Sequence, residues 1–215
     1  MNIIVERFAK IKSNIEKNSN TNSKTIVAVS KTFSLDHIMP LINHGHLHYG
    51  ENKVQEAFAK WHQIKKENKE LKLHMIGKLQ SNKAKKAVEL FDYIHSVDNQ
   101  RLADTLSKCQ LNINKSLKYF IQVNIGNEEQ KFGVDKSSVA ELHSYCKTLN
   151  LEVVGLMCIP PLNESSEIFF KEMNELNKKL NFEELSMGMS SDYLSAIKNS
   201  ATYVRIGSNI FGQRS

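Results

Sequence analysis

The chain has 215 residues, of which 40% are hydrophobic and 24% charged, with a net charge of +6. That length is enough to bury a substantial core, and the composition excludes an intrinsically disordered chain. The charge excess suits an anionic small ligand as well as nucleic acid and selects neither.

Three cysteines, Cys109, Cys146 and Cys158, fall in no CxxC or CxxxC spacing, which argues against a disulfide framework and a structural zinc site. No apolar run is long enough to span a bilayer. The N-terminal segment carries Glu6 and Glu16 and no small-residue cleavage site. The expectation is a cytoplasmic protein without a secretory signal or membrane span.

In residues 2–17, Ile4, Phe8, Ile11 and Ile15 recur at spacings of four, three and four, which predicts a leading amphipathic helix. Residues 18–24 (NSNTNSK) read as a polar loop. A regular alternation follows. Residues 25–31 (TIVAVSK) form a β-branched strand, and 34–43 a helix with Ser34 as its N-cap. The second strand is 46–50 (HLHYG), followed by a helix over 52–68. The third is 71–77 (LKLHMIG), with a helix over 81–91. The fourth is 93–98 (YIHSVD), with a helix running to 111. The fifth is 117–125 (LKYFIQVNI), with a helix over 137–149. The sixth is 151–159 (LEVVGLMCI), with a helix over 165–180. The seventh is 185–189 (LSMGM), with a short helix over 193–199. The eighth is 201–208 (ATYVRIGS).

Strands that alternate with helices form parallel sheets, because parallel neighbours need crossovers. Eight such units match the closed (β/α)8 barrel, here a single TIM barrel domain over 1–215 with an additional N-terminal helix. An open doubly wound sheet is the fallback. It needs a GxGxxG turn after the first strand, which the sequence lacks there.

A barrel carries its chemistry on the loops at the C-terminal ends of the strands, and often binds phosphate after strands seven and eight. Ser190, Ser191, Gly207 and Ser208 fall in those two loops. Together they supply hydroxyls and closely approachable backbone N–H groups, although each loop alone is equally an ordinary turn. Lys31 closes the first strand and points to the mouth. Its amine can condense with an aldehyde, and it can equally be a solvated strand-end lysine. Arg205 shares a strand face with Gly207 and needs an acceptor, either a ligand or a structural partner. His46 and His48 alternate on the second strand, but no third ligand accompanies this HxH pair, so no metal is expected. His74 and His95 sit within strands, in core or pocket. Residues 78–86 (KLQSNKAKK) are basic without an aromatic platform, so nucleic acid is not the expected partner.

These residues also carry a family signature. The motifs AVSKT (28–32), YGENKVQE (49–56), HMIGKLQSNK (74–83), HSVD (95–98), QVNIGNEEQKFGV (122–134), GLMCIPP (155–161), LSMGMSSDY (185–193) and VRIGSNIFGQR (204–214) occur in order. The chain resembles the pyridoxal phosphate homeostasis protein family, also described as alanine-racemase N-terminal-domain-like, from about residue 26 onward. The resemblance implies a barrel that holds pyridoxal 5′-phosphate as a covalent aldimine on Lys31. It implies phosphate contacts at Ser190, Gly207 and Ser208, Arg205 facing the pyridine nitrogen, and Asn52 and His74 as pocket neighbours. Lys78 stands where the family pattern has proline, and Phe132 varies the segment before Gly133. Related racemases carry a second, C-terminal β domain that supplies a catalytic tyrosine. This chain stops soon after its eighth strand, so the expectation is a monomeric binding protein for vitamin B6 homeostasis, not an enzyme. Its expected partners are PLP-requiring apo-enzymes, and the alternative is a single-domain PLP-dependent amino-acid racemase.

Overall fold

A computed structural model describes residues 2–19, 24–128 and 132–213. Eight parallel strands pair in sequence order and close into a barrel. They are β1 (Thr25–Val29), β2 (His48–Glu51), β3 (Lys72–Met75), β4 (Tyr93–Val97), β5 (Lys118–Val123), β6 (Glu152–Cys158), β7 (Glu184–Ser186) and β8 (Tyr203–Ile206). The seam is β1 on β8, with Thr25 opposite Tyr203 and Val27 opposite Arg205. The crossovers carry helices α2 (Leu35–Asn43), α3 (Val54–Glu67), α4 (Ala84–Leu90), α5 (Gln100–Asn112), α6 (Val139–Thr148), α7 (Ser166–Lys179) and α8 (Tyr193–Lys198). Much of the expected 18–24 loop lies outside the described residues.

The predicted leading helix is α1 (Ile3–Asn18), capped by the Asn2 side chain, which accepts from the Ile4 N–H at 2.9 Å. Its buried stripe of Ile4, Phe8, Ile11 and Ile15 lies against α2, α8 and a last short helix, α9 (Ser208–Phe211). The sequence reading had no α9. The eighth strand was expected to run to 208, but Gly207 leaves it and its carbonyl accepts from the N–H groups of Ile210 and Phe211, both at 2.9 Å.

The crossovers are tight although the chain has only nine glycines. Asn114, Asn150, Asn181 and Ser200 follow the caps of α5, α6, α7 and α8 with φ of 49°, 54°, 56° and 70°. Asparagine tolerates the left-handed conformation because its short polar side chain bonds locally, so it ends α5, α6 and α7 in the role glycine often fills.

Both faces of the sheet are covered, which is why β1 reads as a near-continuous apolar run. Alternate residues feed two cores. Ile26, Ala28, Val204 and Ile206 join the large layer between barrel and helices, with Ile38, Leu41 and Trp61. Val27, Phe120, Met157 and Tyr203 fill the barrel itself. At about 25 cal/mol per Å2 of buried apolar surface, that outer layer is the main stabilising term.

Two strand boundaries shift where chemistry was expected. β2 begins at His48 because residue 46 belongs to the exit from α2, where its backbone N–H donates to the Leu41 carbonyl at 3.2 Å. The expected HxH pair on one strand face is therefore not formed. β1 ends at Val29. The Phe33 N–H closes a turn on the Ser30 carbonyl at 3.2 Å, and Thr32 adopts φ of 70°. A β-branched residue there stores on the order of 1–3 kcal/mol of strain. Lys31 thus sits on a tight turn instead of closing a strand.

Candidate functional site

At the C-terminal mouth of the barrel lies a cleft of about 620 Å3, within the ordinary range for small-molecule sites. Lys31 and Phe33 enter it from the β1 turn, Asn52 from beyond β2, and Ile76 and Gly77 from beyond β3. Met189, Ser190 and Ser191 come from beyond β7, and Arg205, Gly207 and Ser208 from β8 and its end. Of the residues singled out in the sequence, Lys31, Asn52, Ser190, Arg205, Gly207 and Ser208 are brought together here.

Ser190 joins the two loops that the sequence marked for phosphate. Its hydroxyl accepts from the Gly207 N–H at 3.3 Å, and its carbonyl accepts from the Asn209 side-chain amide at 2.7 Å. A Cβ on Gly207 would stand 3.2 Å from the Val29 carbonyl oxygen, so glycine lets β8 run close to β1. At Gly77 the demand is stronger, because a Cβ would meet the Asn52 carbonyl oxygen at 2.4 Å. That glycine seats Asn52 at the cleft wall.

Arg205 is buried, with Nη1 donating to Ser186 Oγ at 2.7 Å and Nη2 to the Cys158 carbonyl at 2.9 Å. Burial lowers its proton affinity, yet a guanidinium remains protonated in proteins. These acceptors are neutral, and among the described residues no carboxylate is bound to the cation, which faces the cleft.

His74 is placed elsewhere. It does not line the cleft but lies fully buried one level down in the barrel, stacked on Tyr93 with ring centroids 4.3 Å apart. Ile76, two residues along on the same face, reaches the cleft instead, because each pair of strand residues climbs about 6.6 Å. His74, expected from the resemblance as a pocket neighbour, therefore lies in the layer beneath the cleft lining.

The sequence reading missed a support beneath the Lys31 turn. Glu51, fully buried at the end of β2, accepts at Oε1 from Ser30 Oγ (2.8 Å), Trp61 Nε1 (2.9 Å) and Lys60 Nζ (2.9 Å). Lys60 also donates to the Ser30 carbonyl at 2.8 Å. These bonds lock the residue before Lys31 to the residue before Asn52. The available signal was an acidic residue at a strand end followed nine residues on by a lysine.

Elsewhere, His46 Nε2 donates to the His48 carbonyl at 2.8 Å. No group of three or more His, Cys, Asp or Glu among the described residues is arranged to hold a metal ion. In the basic segment, Lys78 Nζ lies 3.7 Å from the centre of the Phe132 ring. No helix among the described residues is long and apolar enough to cross a membrane.

A closed parallel barrel with a lysine on the first turn and small-residue loops at its last two strands defines a class, and the comparisons with known proteins identify it. The family model of the alanine racemase N-terminal domain matches residues 7–215. A pyridoxal phosphate homeostasis protein of Aquifex aeolicus is 38% identical over 224 residues, covering 97% of each chain. PipY of Synechococcus elongatus PCC7942, solved without PLP, superposes with a TM-score of 0.88 at 35% identity, over 98% of this chain and 100% of that one. The same protein with PLP bound gives 0.87 at 34% identity, over 97% and 100%. The chain belongs to the pyridoxal phosphate homeostasis protein family.

The residues present fit that cofactor. The cleft holds an amine, hydroxyls on two adjoining loops and a cation. Among the described residues nothing bonds the buried Asn52 Oδ1, an acceptor left unsatisfied on a residue of the cleft wall.

Proposed function

We propose that this chain, as one barrel unit over its full length, binds pyridoxal 5′-phosphate in the mouth cleft and serves its intracellular balance without turning over an amino acid. One observation carries the reading: Lys31, the Ser190–Gly207–Ser208 loops and Arg205 converge on a single cleft. The cofactor supplies an aldehyde, which condenses with a lysine amine to a Schiff base with loss of water. Lys31 is the amine in reach of that chemistry. The hydroxyls of Ser190 and Ser208 and the backbone of Gly207 hold the phosphate, and Asn52 borders the ring.

Arg205 faces the ring nitrogen, donates to it and discourages its protonation. A ring kept unprotonated is a weaker electron sink. Racemisation also needs two bases on opposite faces of a substrate. Among the described residues lining the cleft, Lys31 is the one amine, and no Tyr, His, Asp, Glu or Cys joins it. Both features support binding over catalysis. The protein acts as a monomer that hands the cofactor to apo-enzymes requiring it.

The test is the visible absorbance of purified protein with added cofactor, before and after borohydride, with the modified residue mapped by peptide analysis. Modification at Lys31, with no deuterium entering L-alanine in heavy water, is the expected outcome. A mapped lysine other than Lys31 would refute the site. Fast protein-dependent deuteration with D-alanine formation would establish the racemase instead.

A further inference from the structure

Behind Arg205 an unbroken line of side chains crosses the barrel interior. Arg205 Nη1 lies 2.7 Å from Ser186 Oγ, which lies 2.9 Å from His95 Nδ1. His95 Nε2 lies 2.9 Å from His74 Nδ1, and His74 Nε2 lies 2.9 Å from His48 Nδ1. His48 opens on a second cavity, of about 350 Å3, on the opposite side of the barrel. Five strands, β2, β3, β4, β7 and β8, each give one residue to this line.

Its polarity follows from donor counting. Arginine only donates, so Ser186 Oγ accepts from it. The serine proton then has one remaining partner, His95 Nδ1. A neutral His95 carries its hydrogen on Nε2 and donates to His74 Nδ1. His74 likewise carries its hydrogen on Nε2 and donates to His48 Nδ1. The reverse order would aim two donors at Ser186 and strand its hydroxyl proton in the core, a loss of a full buried hydrogen bond.

The surroundings keep the rings neutral. His95 faces Arg205, Tyr93, Tyr203 and Phe120. His74 faces His95, His48, His46, Lys65, Tyr93 and Tyr203. His48 faces Lys72, Asp92, His46, His74 and Tyr93, with Lys12, Lys24 and His44 across the rear cavity. Among the described residues the one carboxylate facing these rings, Asp92, is already engaged by Lys65 and by the Leu73 N–H. Burial first, then the Arg205 cation for His95 and the crowding of the other imidazoles for His74, hold both rings well below the ordinary histidine range.

We infer that Ser186, His95, His74 and His48 form a one-way hydrogen-bond relay that positions the Arg205 guanidinium at the floor of the cleft. Each bond polarises the next, so a serine that gives its proton away is a better acceptor for the arginine. The histidines are positioning residues that never touch the cleft. The consequence for bound cofactor rests on the function proposed above, whereas the relay is measurable without it.

The experiment uses cofactor-free full-length protein with 15N-labelled histidine and arginine. Expected are Nε2–H tautomers at His74 and His95 and slow rotation of the Arg205 guanidinium. His48→Leu removes the last acceptor at a half-exposed position. It should mix both tautomers and speed that rotation, while His48→Gln, which keeps an acceptor, restores them. Ser186→Ala is the second variant and should free the guanidinium directly. Nδ1–H tautomers in the parent protein, or tautomers unmoved by His48→Leu, would overturn the relay. Changed tautomers with unchanged Arg205 rotation would overturn the positioning role. With pyridoxal 5′-phosphate added, His48→Leu should bind about fivefold more weakly, the scale of one misaligned hydrogen bond, and shift the pH profile of the bound absorbance. Absence of binding in every variant, parent included, would instead refute the proposed function and leave the relay to be decided by the cofactor-free signals.

Discussion

The mouth of this barrel and its interior are made from the same eight strands but satisfy polar groups in opposite ways. At the mouth, Ser190, Gly207 and Ser208 are half-exposed or exposed beside an open cleft, and Ser190 Oγ meets the Gly207 N–H in one long bond of 3.3 Å. Inside, the polar side chains of His74, His95 and Ser186 are each bonded to one another or to Arg205, among stacked rings of Tyr93 and Phe120. The difference follows from solvent: an unpaired group facing water costs little, whereas one in the barrel costs about 1–3 kcal/mol. Groups at the mouth are therefore available for a ligand, and groups inside serve stability and orientation.

The sharpest break of that contrast is Lys31→Ala. It should abolish covalent cofactor attachment, read as loss of the imine absorbance, while the thermal midpoint of cofactor-free protein stays nearly unchanged. A large drop in that midpoint would make Lys31 a structural residue.

The interior should answer to pH instead. Burial pulls His46 down to about 4 and His74 and His95 well below their ordinary value. Their folded affinity for protons lies below the unfolded one, near 6.5. Their contribution is thus fully present above about pH 6.5 and is lost as pH falls, by up to about 1.4 kcal/mol per pH unit for each ring. Urea unfolding from pH 7 to pH 5 should show this decline, and a flat profile would mean that the rings are protonated in the fold.

A smaller effect separates the two regions at single-atom scale. Ser190→Ala removes one hydroxyl at the mouth. Since a hydrogen bond to a charged acceptor contributes roughly 1.5–3 kcal/mol, cofactor affinity should fall by about tenfold or more. Pyridoxal without phosphate should bind far more weakly than the phosphate form and be indifferent to this change. Equal affinity of the two forms would dismiss the cradle.

The smallest effect belongs to neither region. Lys53 and Glu56 pair at 2.7 Å on the surface, with side chains 64% and 45% exposed. Lys53→Ala should cost below about 1 kcal/mol in urea unfolding, because solvent screens such pairs. A larger loss would point to a role for Lys53 beyond the ion pair.

Much of this molecule was legible along the chain. Alternating β-branched runs and amphipathic segments determined eight strand–helix units, and the spacing of Ile4, Phe8, Ile11 and Ile15 determined the leading helix. The strand-end positions of Lys31, Ser190, Gly207 and Ser208 placed them at one mouth, because parallel strands all point the same way. Three things were settled only by the tertiary structure. Whether a polar residue on an inward strand face reaches the cleft or the layer beneath depends on strand stagger, and this sent His74 inside and Ile76 to the cleft. The partners of Arg205 come from β6 and β7, and Glu51 takes Ser30 from the turn after β1, sequence separations that no local pattern encodes. The turn that presents Lys31 depends on the left-handed Thr32, a conformation that the propensities of a β-branched residue oppose and that only the surrounding fold imposes.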